Sequence, residues 1–168
     1  MQFRKLTKTL GLCSVIVAST GFAGMASAAV YQEYIYSGNG CRPMDGNRWS
    51  DFTSSYNTIR NNGSVDVSVM CPVVRHHIKT SVGPRSFAVQ VNNLRAERLS
   101  CTLYTLNGVG GAIDAATVTT YSAGSQYLHV NRSLRAGRYS GEYTVFCNLP
   151  AGASIYNYKV QEYSDIEN

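Results

Sequence analysis

Residues 64–71 of the chain read Ser-Val-Asp-Val-Ser-Val-Met-Cys, which is the clearest strand pattern in the sequence. Its apolar residues occupy every second position: Val65, Val67, Val69 and Cys71. An alternation with a period of two is the pattern of a β-strand that buries one face and exposes the other. We therefore predict a half-buried strand whose inner face carries three valines and a cysteine.

The same alternation recurs in three later stretches. Their inward residues are Phe87, Val89 and Val91; Leu99, Cys101 and Leu103; and Tyr143, Val145, Cys147 and Leu149. Weaker strand patterns cover residues 30–36, 56–60, 115–121, 127–131 and 154–162. Turn residues such as Asn-Gly and Gly-Pro separate these stretches. The pattern predicts an all-β protein of about nine strands, folded as a two-sheet antiparallel sandwich of the jelly-roll or Greek-key type.

The first 28 residues have the layout of a secretory signal peptide. Arg4, Lys5 and Lys8 precede an apolar run, and Ala26-Ser27-Ala28 supplies a cleavage site. The run of about 13 apolar residues is shorter than the roughly 20 that a membrane span needs. We expect cleavage near Ala28/Ala29, a single domain over 29–163, a frayed tail at 164–168, and no membrane insertion of the mature chain. The product would be secreted, either periplasmic or extracellular.

The charge of the mature chain is small. The full chain has a net charge of +5, but three of its 15 basic residues and none of its 10 acidic residues lie in the signal. The mature part therefore has 12 basic against 10 acidic residues, a net charge of +2. Nucleic-acid binding needs a stronger basic balance, so we predict no nucleic-acid partner.

Four cysteines remain after cleavage: Cys41, Cys71, Cys101 and Cys147. In an oxidising compartment they would form two disulfides, for which three pairings exist. The last three cysteines share the inward register of their strands, which favours Cys41–Cys71 and Cys101–Cys147. A zinc site would need close paired spacings such as Cys-x-x-Cys, and the chain has none.

Catalytic and metal-binding motifs are weak. The chain lacks a G-x-S-x-G elbow and an H-E-x-x-H motif. Asp45, Asn47 and Asp51 follow the first half of a calcium-loop spacing, but three other positions of that loop do not match. His76 and His77 are adjacent and would face opposite ways on a strand. We predict no enzyme activity, no cofactor and no metal.

The aromatic residues are the best candidates for a binding site. Trp49 lies in a polar loop beside Arg48 and Asp51, where it would serve either as a stacking platform for a sugar or as a plug that closes the core. Tryptophan is largely buried in most proteins, which favours the plug. Four more aromatic residues have an outward register: Tyr104, Tyr127, Phe146 and Tyr156. Several of these four would share one face of the sandwich.

Several segments resemble a group of small secreted bacterial proteins. The most specific are Cys71-Pro72-Val73-Val74-Arg75 and Cys147-Asn148-Leu149-Pro150, and the similarity extends over about residues 34–162. In that group an acidic residue often follows the arginine, whereas this chain has His76. The resemblance implies a jelly-roll-like sandwich with two disulfides, and it implies nothing about a substrate.

Together these observations predict a secreted, non-catalytic binding module with a glycan or another cell-surface component as its partner. The candidate contact residues are Trp49, Arg48, Asp51, Tyr104 and Tyr127. The alternative is a structural protein that associates with copies of itself through an aromatic outer face.

Overall fold

The computed structural model describes residues 30–76, 82–137 and 141–164. Its described part contains eleven strands and two short 3₁₀ helices, at Gly38–Gly40 and Gly46–Asp51. The strands are β1 (Val30–Ser37), β2 (Arg42–Pro43), β3 (Phe52–Ser55), β4 (Thr58–Asn61), β5 (Val67–Val73), β6 (Ser86–Asn93), β7 (Leu99–Leu106), β8 (Ala112–Thr120), β9 (Gly124–Val130), β10 (Glu142–Leu149) and β11 (Ser154–Ser164). The predicted signal peptide, His77 and the last four residues lie outside the described ranges.

The strands form two antiparallel sheets. The six-stranded sheet has the order β3-β4-β11-β6-β9, and β1 also pairs with β11. The five-stranded sheet has the order β2-β5-β10-β7-β8. From β4 onward the chain crosses to the other sheet at every connection except the β7–β8 hairpin, which is the jelly-roll arrangement. The predicted two-sheet jelly-roll sandwich is therefore confirmed. Within the described ranges, no helix has the length and apolarity of a membrane span.

The core lies between the sheets and contains the residues that the alternation assigns to the inner faces. Val69, Val89, Leu103 and Val145 are fully buried. The prediction is wrong at Val65, which precedes β5 and is 46% exposed. An alternating pattern cannot show where a strand begins, because a loop valine extends the pattern without being paired.

The predicted strand at 56–60 is also wrong in its first residues. Tyr56 lies in the turn between β3 and β4, has a φ of 42° and is 99% exposed. Two further strands, β2 and β3, have no counterpart in the prediction. β2 has two residues and β3 reads Phe-Thr-Ser-Ser, so neither has enough apolar residues to form an alternating pattern.

Both predicted disulfides are confirmed. Cys101 and Cys147 lie directly opposite each other on β7 and β10, in the middle of the five-stranded sheet. Cys41 follows the first 3₁₀ helix and bonds Cys71 of β5. All four cysteines are buried. One bridge therefore joins two central strands, and the other ties the segment before β2 to the same sheet.

Strand β11 organises the six-stranded sheet. One of its edges pairs with β6, and the other pairs first with β4 and then with β1. The register with β6 shifts between Ile155 and Asn157, so Tyr156 is an extra residue in a β-bulge. Because of the bulge, Ile155 and Tyr158 can both point into the core although they are three positions apart.

Removing either disulfide should lower the free energy of unfolding strongly. The bridged residues are 46 positions apart for Cys101–Cys147 and 30 apart for Cys41–Cys71. Loop-closure entropy then gives about 4 and about 3.6 kcal/mol. Urea denaturation of C101A/C147A and C41A/C71A measures the two losses. A loss below about 1 kcal/mol for either pair would contradict the expected role. A Cys41–Cys147 peptide in non-reducing mapping would contradict the pairing.

Candidate functional site

The outer face of the five-stranded sheet carries a continuous apolar strip. On neighbouring strands, Met70 of β5 lies opposite Phe146 of β10. Tyr104 of β7 packs edge-on against the Phe146 ring, with 5.4 Å between the ring centroids. Met70 is 42% exposed, and both rings are partly exposed. The sheet thus presents three adjacent apolar side chains to solvent.

An open groove of about 510 Å³ runs along this strip. We call it the outer groove; among its lining residues are Met70, Pro72, Leu106, Glu142, Thr144 and Phe146. Strand pairing fixes these positions, because Thr144 lies opposite Pro72 on one side and Tyr104 on the other. Most of the lining therefore belongs to three hydrogen-bonded strands, and Arg75 and Gly141 add to it from just beyond the strand ends.

Arg75 closes one end of the outer groove. Its guanidinium donates hydrogen bonds to the carbonyls of Gly137 and Gly141 and lies 5.5 Å from the centre of the Tyr143 ring. A Cβ on Gly141 would come within 2.5 Å of the guanidinium, so a larger residue there would displace it. Backbone carbonyls thus accept these hydrogen bonds of Arg75 in this chain, and the residue that follows it is His76.

The loop at residues 45–51, which we call the Trp49 loop, lies beside β2 at the edge of this sheet. Asp45 caps the 3₁₀ helix by accepting a hydrogen bond from the Asn47 backbone N–H at 3.1 Å. Arg48 approaches the Asp45 carboxylate at 3.4 Å. Trp49 is 46% exposed and is not among the side chains that pack in or against the core, so the interpretation as a half-buried core plug is wrong.

Arg42 connects the Trp49 loop to the outer groove. Its guanidinium lies 5.4 Å from the centre of the Trp49 ring and donates to the carbonyls of Asn39 and Cys41, at 2.9 and 3.0 Å. Arg42 is paired in register with Met70 of the outer groove. Trp49, Met70, Phe146 and Tyr104 therefore follow one another from the sheet edge inward. Sequence reasoning missed this link, because the two-residue strand β2 supplies it.

The remaining candidate residues lie elsewhere. The backbone carbonyl of Asp51 accepts a hydrogen bond from Asn62, which directs this end of the loop towards the six-stranded sheet. Among the described residues, no group of three His, Cys, Asp or Glu side chains is placed to hold a metal ion. The structure thus gives Asp45 a capping role and places Asp51 at the start of the β3–β4 hairpin.

Tyr127 and Tyr156 do not share a face with Tyr104 and Phe146. They belong to β9 and β11 of the six-stranded sheet, so the four outward aromatic residues divide into two pairs on different sheets. Tyr127 is 49% exposed, and the ammonium of Lys159 lies 5.0 Å from its ring centre. Lys159 also forms an ion pair with Glu33 at 3.0 Å. An alternating pattern shows which residues of a strand face the core and which face solvent, but it does not show which sheet the strand joins.

A cluster of buried tyrosines surrounds Glu162 inside one end of the sandwich. Glu162 is 1% exposed and accepts a hydrogen bond from the backbone N–H of His76 at 3.1 Å. Tyr36 stacks on Tyr158 and donates to the carbonyl of Val74 at 2.8 Å. Tyr158 and Glu162 share the inward register of β11, so the alternation itself could have identified this buried carboxylate.

Burial raises the pKa of the Tyr36 hydroxyl to about 12, and the nearby Glu162 carboxylate adds to the increase. The same two causes raise the pKa of Tyr143, and burial followed by the charge of Tyr36 raises that of Tyr158. In each case the folded protein favours the neutral phenol. Three of the twelve tyrosines, Tyr36, Tyr143 and Tyr158, therefore pack in or against the core. Tyr143 also lines the outer groove, and Tyr104 lies beside the groove against the Phe146 ring.

No protein-family model matches the chain, and no curated protein matches it. The chain is similar to the solved xylan-binding module CBM15 with 15% identity and a TM-score of 0.44, over 79% of this chain and 96% of that one. It is similar to TmCBM61, solved with β-1,4-galactotriose, with 10% identity and a TM-score of 0.41, over 80% and 88%.

A third similar structure is the Arthrobacter globiformis isomalto-dextranase complexed with panose. Its identity is 14% and its TM-score 0.44, and the match covers 77% of this chain. The chain spans 23% of the length of that protein. At these identities and TM-scores, the similarities assign neither a ligand nor an activity to this chain.

The tyrosine cluster predicts a loss of stability at alkaline pH. A tyrosine whose pKa is raised on folding stabilises the fold below its unfolded pKa of about 10, and this contribution is lost as pH rises towards the folded pKa. For Tyr36 the window is pH 10 to about 12. Urea unfolding followed by circular dichroism should show a free energy of unfolding that falls across this window, and less steeply in Y36F. The control is Y56F, since Tyr56 is fully exposed. An equal slope in Y36F and the wild type would contradict the assignment.

Proposed function

We propose that this chain is a secreted, non-catalytic module that binds carbohydrate on the outer face of its five-stranded sheet. The observation that supports this proposal is the line from Trp49 through Met70 and Phe146 to Tyr104, which borders an open groove. Partly exposed aromatic rings offer flat apolar faces to the C–H groups of a sugar ring. Neighbouring polar groups can then bond the sugar hydroxyls.

The dimensions of this surface fit an extended oligosaccharide. The line runs from β2 across β5 and β10 to β7, which is three strand spacings or about 14 Å. The groove is open, as a site for an internal stretch of a polymer must be. We infer that several consecutive sugar units lie across the strands, with Trp49 contacting one end of the segment.

Polar groups lie at intervals along the same surface. The guanidinium of Arg42 is held by two carbonyls beside Trp49, and Glu142 lines the groove near Arg75. The hydroxyls of Thr102 and Thr117 share a hydrogen bond of 2.8 Å, and both residues lie in the same row across the sheet as Phe146. Groups that are already oriented by strand pairing or hydrogen bonds lose little entropy when a ligand binds.

The absence of a second carboxylate supports a binding role over hydrolysis. Cleavage of a glycosidic bond ordinarily uses two carboxyl groups on opposite sides of that bond. Among the described residues that line the outer groove, Glu142 is the one acid. The proposal of secretion is supported by the signal-peptide layout of residues 1–28 and by the two disulfides.

The apolar character of the same face favours a second candidate function, self-association. Besides Met70, the exposed side chains of Pro72 and Val74 extend the apolar surface along β5. A second copy of the chain could cover this strip face to face. The two candidates predict different behaviour, since self-association depends on protein concentration and carbohydrate binding depends on the added glycan.

Alanine variants in the outer groove should weaken glycan binding. A glycan array of the mature, oxidised protein identifies a ligand, and calorimetry with that ligand compares F146A, Y104A and W49A with the wild type. We expect F146A to lose about tenfold or more in affinity, because an aromatic side chain at the centre of an interface contributes much of its energy. Trp49 is the single tryptophan, so ligand binding should also change the intrinsic fluorescence.

The matched control is Y121A, since Tyr121 is 63% exposed and lies beyond the end of β8. Wild-type affinity in F146A, Y104A and W49A alike would refute the proposed surface. If the array shows no binding, sedimentation velocity over a range of concentrations becomes the deciding experiment. A dimer that is lost in M70K would replace carbohydrate binding with self-association, because a lysine ammonium resists burial between two apolar faces.

A further inference from the structure

A second groove, of about 390 Å³, lies on the outer face of the six-stranded sheet. Strand pairing sets its floor, since Thr53 of β3, Arg60 of β4, Ser154 of β11 and Asn92 of β6 are register partners in one row. Ser154 is 5% exposed and forms the bottom, whereas Arg60 is exposed above it. We call this the Arg60 groove. It lies on the opposite face of the sandwich from the outer groove.

The side chain of Arg60 forms no ion pair and no hydrogen bond within the described part of the chain. The described residues that line the groove include neither aspartate nor glutamate. They supply hydroxyl and amide groups instead, from Thr53, Asn62, Asn92 and Ser154. A guanidinium has five N–H donors, and here neutral hydrogen-bonding groups surround it. Such a group is suited to bind an oxyanion by donating hydrogen bonds to two of its oxygens.

The polar groups around Arg60 are held in position. Asn62 donates to the hydroxyl of Thr53 at 2.5 Å. The preceding residue, Asn61, is fully buried, and its side-chain amide donates to the carbonyls of Val65 and Leu149, both at 2.9 Å. Asn61 thereby anchors the end of β4 to the core. Arg60 and Asn62, on either side of it, are directed outward into the groove.

The β-bulge in β11 places an aromatic ring in the same groove. Tyr156 is the inserted residue between Ile155 and Asn157, and its partly exposed side chain lines the Arg60 groove. Bulges are common next to binding sites, where they redirect a side chain. The ring offers a flat surface to a ligand whose charged group reaches Arg60. A ligand that suits this combination has both a ring with hydroxyl groups and an anionic substituent.

We propose that the Arg60 groove binds the anionic group of an acidic saccharide, which is either the carboxylate of a uronic acid or a sulfate ester. Both groups present oxygens at the spacing that a guanidinium recognises. Asn62 and Asn92 would bond the ring hydroxyls, and Tyr156 would contact the ring face. This site is separate from the outer groove and does not require a ligand there.

The experiment uses three polymers with one backbone: dextran, carboxymethyl-dextran and dextran sulfate of equal length. Affinity electrophoresis and calorimetry at physiological salt compare the wild type with R60A, R60K and R98A. Arg98 is the matched control, because it is exposed on the loop before β7 and its removal changes the net charge by the same amount. Since Arg60 is exposed, R60A should fold, and thermal unfolding of each variant checks this.

We expect at least one charged polymer to bind more tightly than neutral dextran, with about a tenfold loss in R60A and a smaller loss in R60K. R98A should retain affinity within about twofold, because Arg98 is exposed and is not among the residues that line the groove. If R60A loses affinity for carboxymethyl-dextran, the site recognises a carboxylate; if it loses affinity for dextran sulfate, the site recognises a sulfate ester. Equal binding of all three polymers, or equal losses in R60A and R98A, would overturn the proposal.

The variant F146A separates this inference from the proposed function. Unchanged binding of the charged polymer in F146A, together with its loss in R60A, supports a site in the Arg60 groove whatever the glycan array shows. Conversely, if F146A loses affinity for the charged polymer and R60A does not, the ligand binds in the outer groove and this inference is refuted. The two proposals can therefore fail independently.

Discussion

A shift of one residue in the pairing of β10 would exchange its buried and exposed side chains, and the Cys101–Cys147 bridge holds the strand against such a shift. Side chains alternate along a strand, so register and burial are a single property. Cys147 lies between Val145 and Leu149 on the inner face and opposite Cys101 of β7. The bridge therefore fixes which residues form the core, and through strand pairing it fixes the neighbours of β10 on both sides.

Once the inner faces are fixed, the outer faces can differ in chemistry without cost to the core. On the five-stranded sheet the outward residues of β5 and β10 include Met70 and Phe146, and the result is an apolar surface. On the six-stranded sheet the outward row contains Thr53, Arg60 and Asn92, and the result is a polar groove. Both outer faces cover the same buried layer. The difference between an apolar and a polar face is therefore better explained by what each face contacts outside the core than by the needs of folding.

The alternation of apolar residues was sufficient to predict the fold class, the four central strands and both disulfides. It was insufficient to predict which residues share an outer face. Alternation is a local property of one strand, whereas the sheet that a strand joins depends on the whole fold. Tyr104 and Tyr127 have the same outward pattern, yet β7 and β9 belong to different sheets. Trp49 joins the outer groove through β2, which is too short to leave a pattern. The outward register of Tyr156 was predicted, but no feature of the sequence marks the bulge that lets both Ile155 and Tyr158 face the core.

The sandwich geometry limits how two ligand sites can act together. The sheets of a sandwich pack about 10 Å apart, so grooves on their outer faces open in opposite directions. A single extended saccharide cannot lie in both grooves without passing around the edge of the domain. If both grooves were occupied, the domain would therefore join two separate polysaccharide molecules. It would not bind one polysaccharide more tightly, since a gain in avidity requires both contacts to form on the same molecule. Together the two proposed sites would suit a module that links polymers more than one that anchors itself to a single strand.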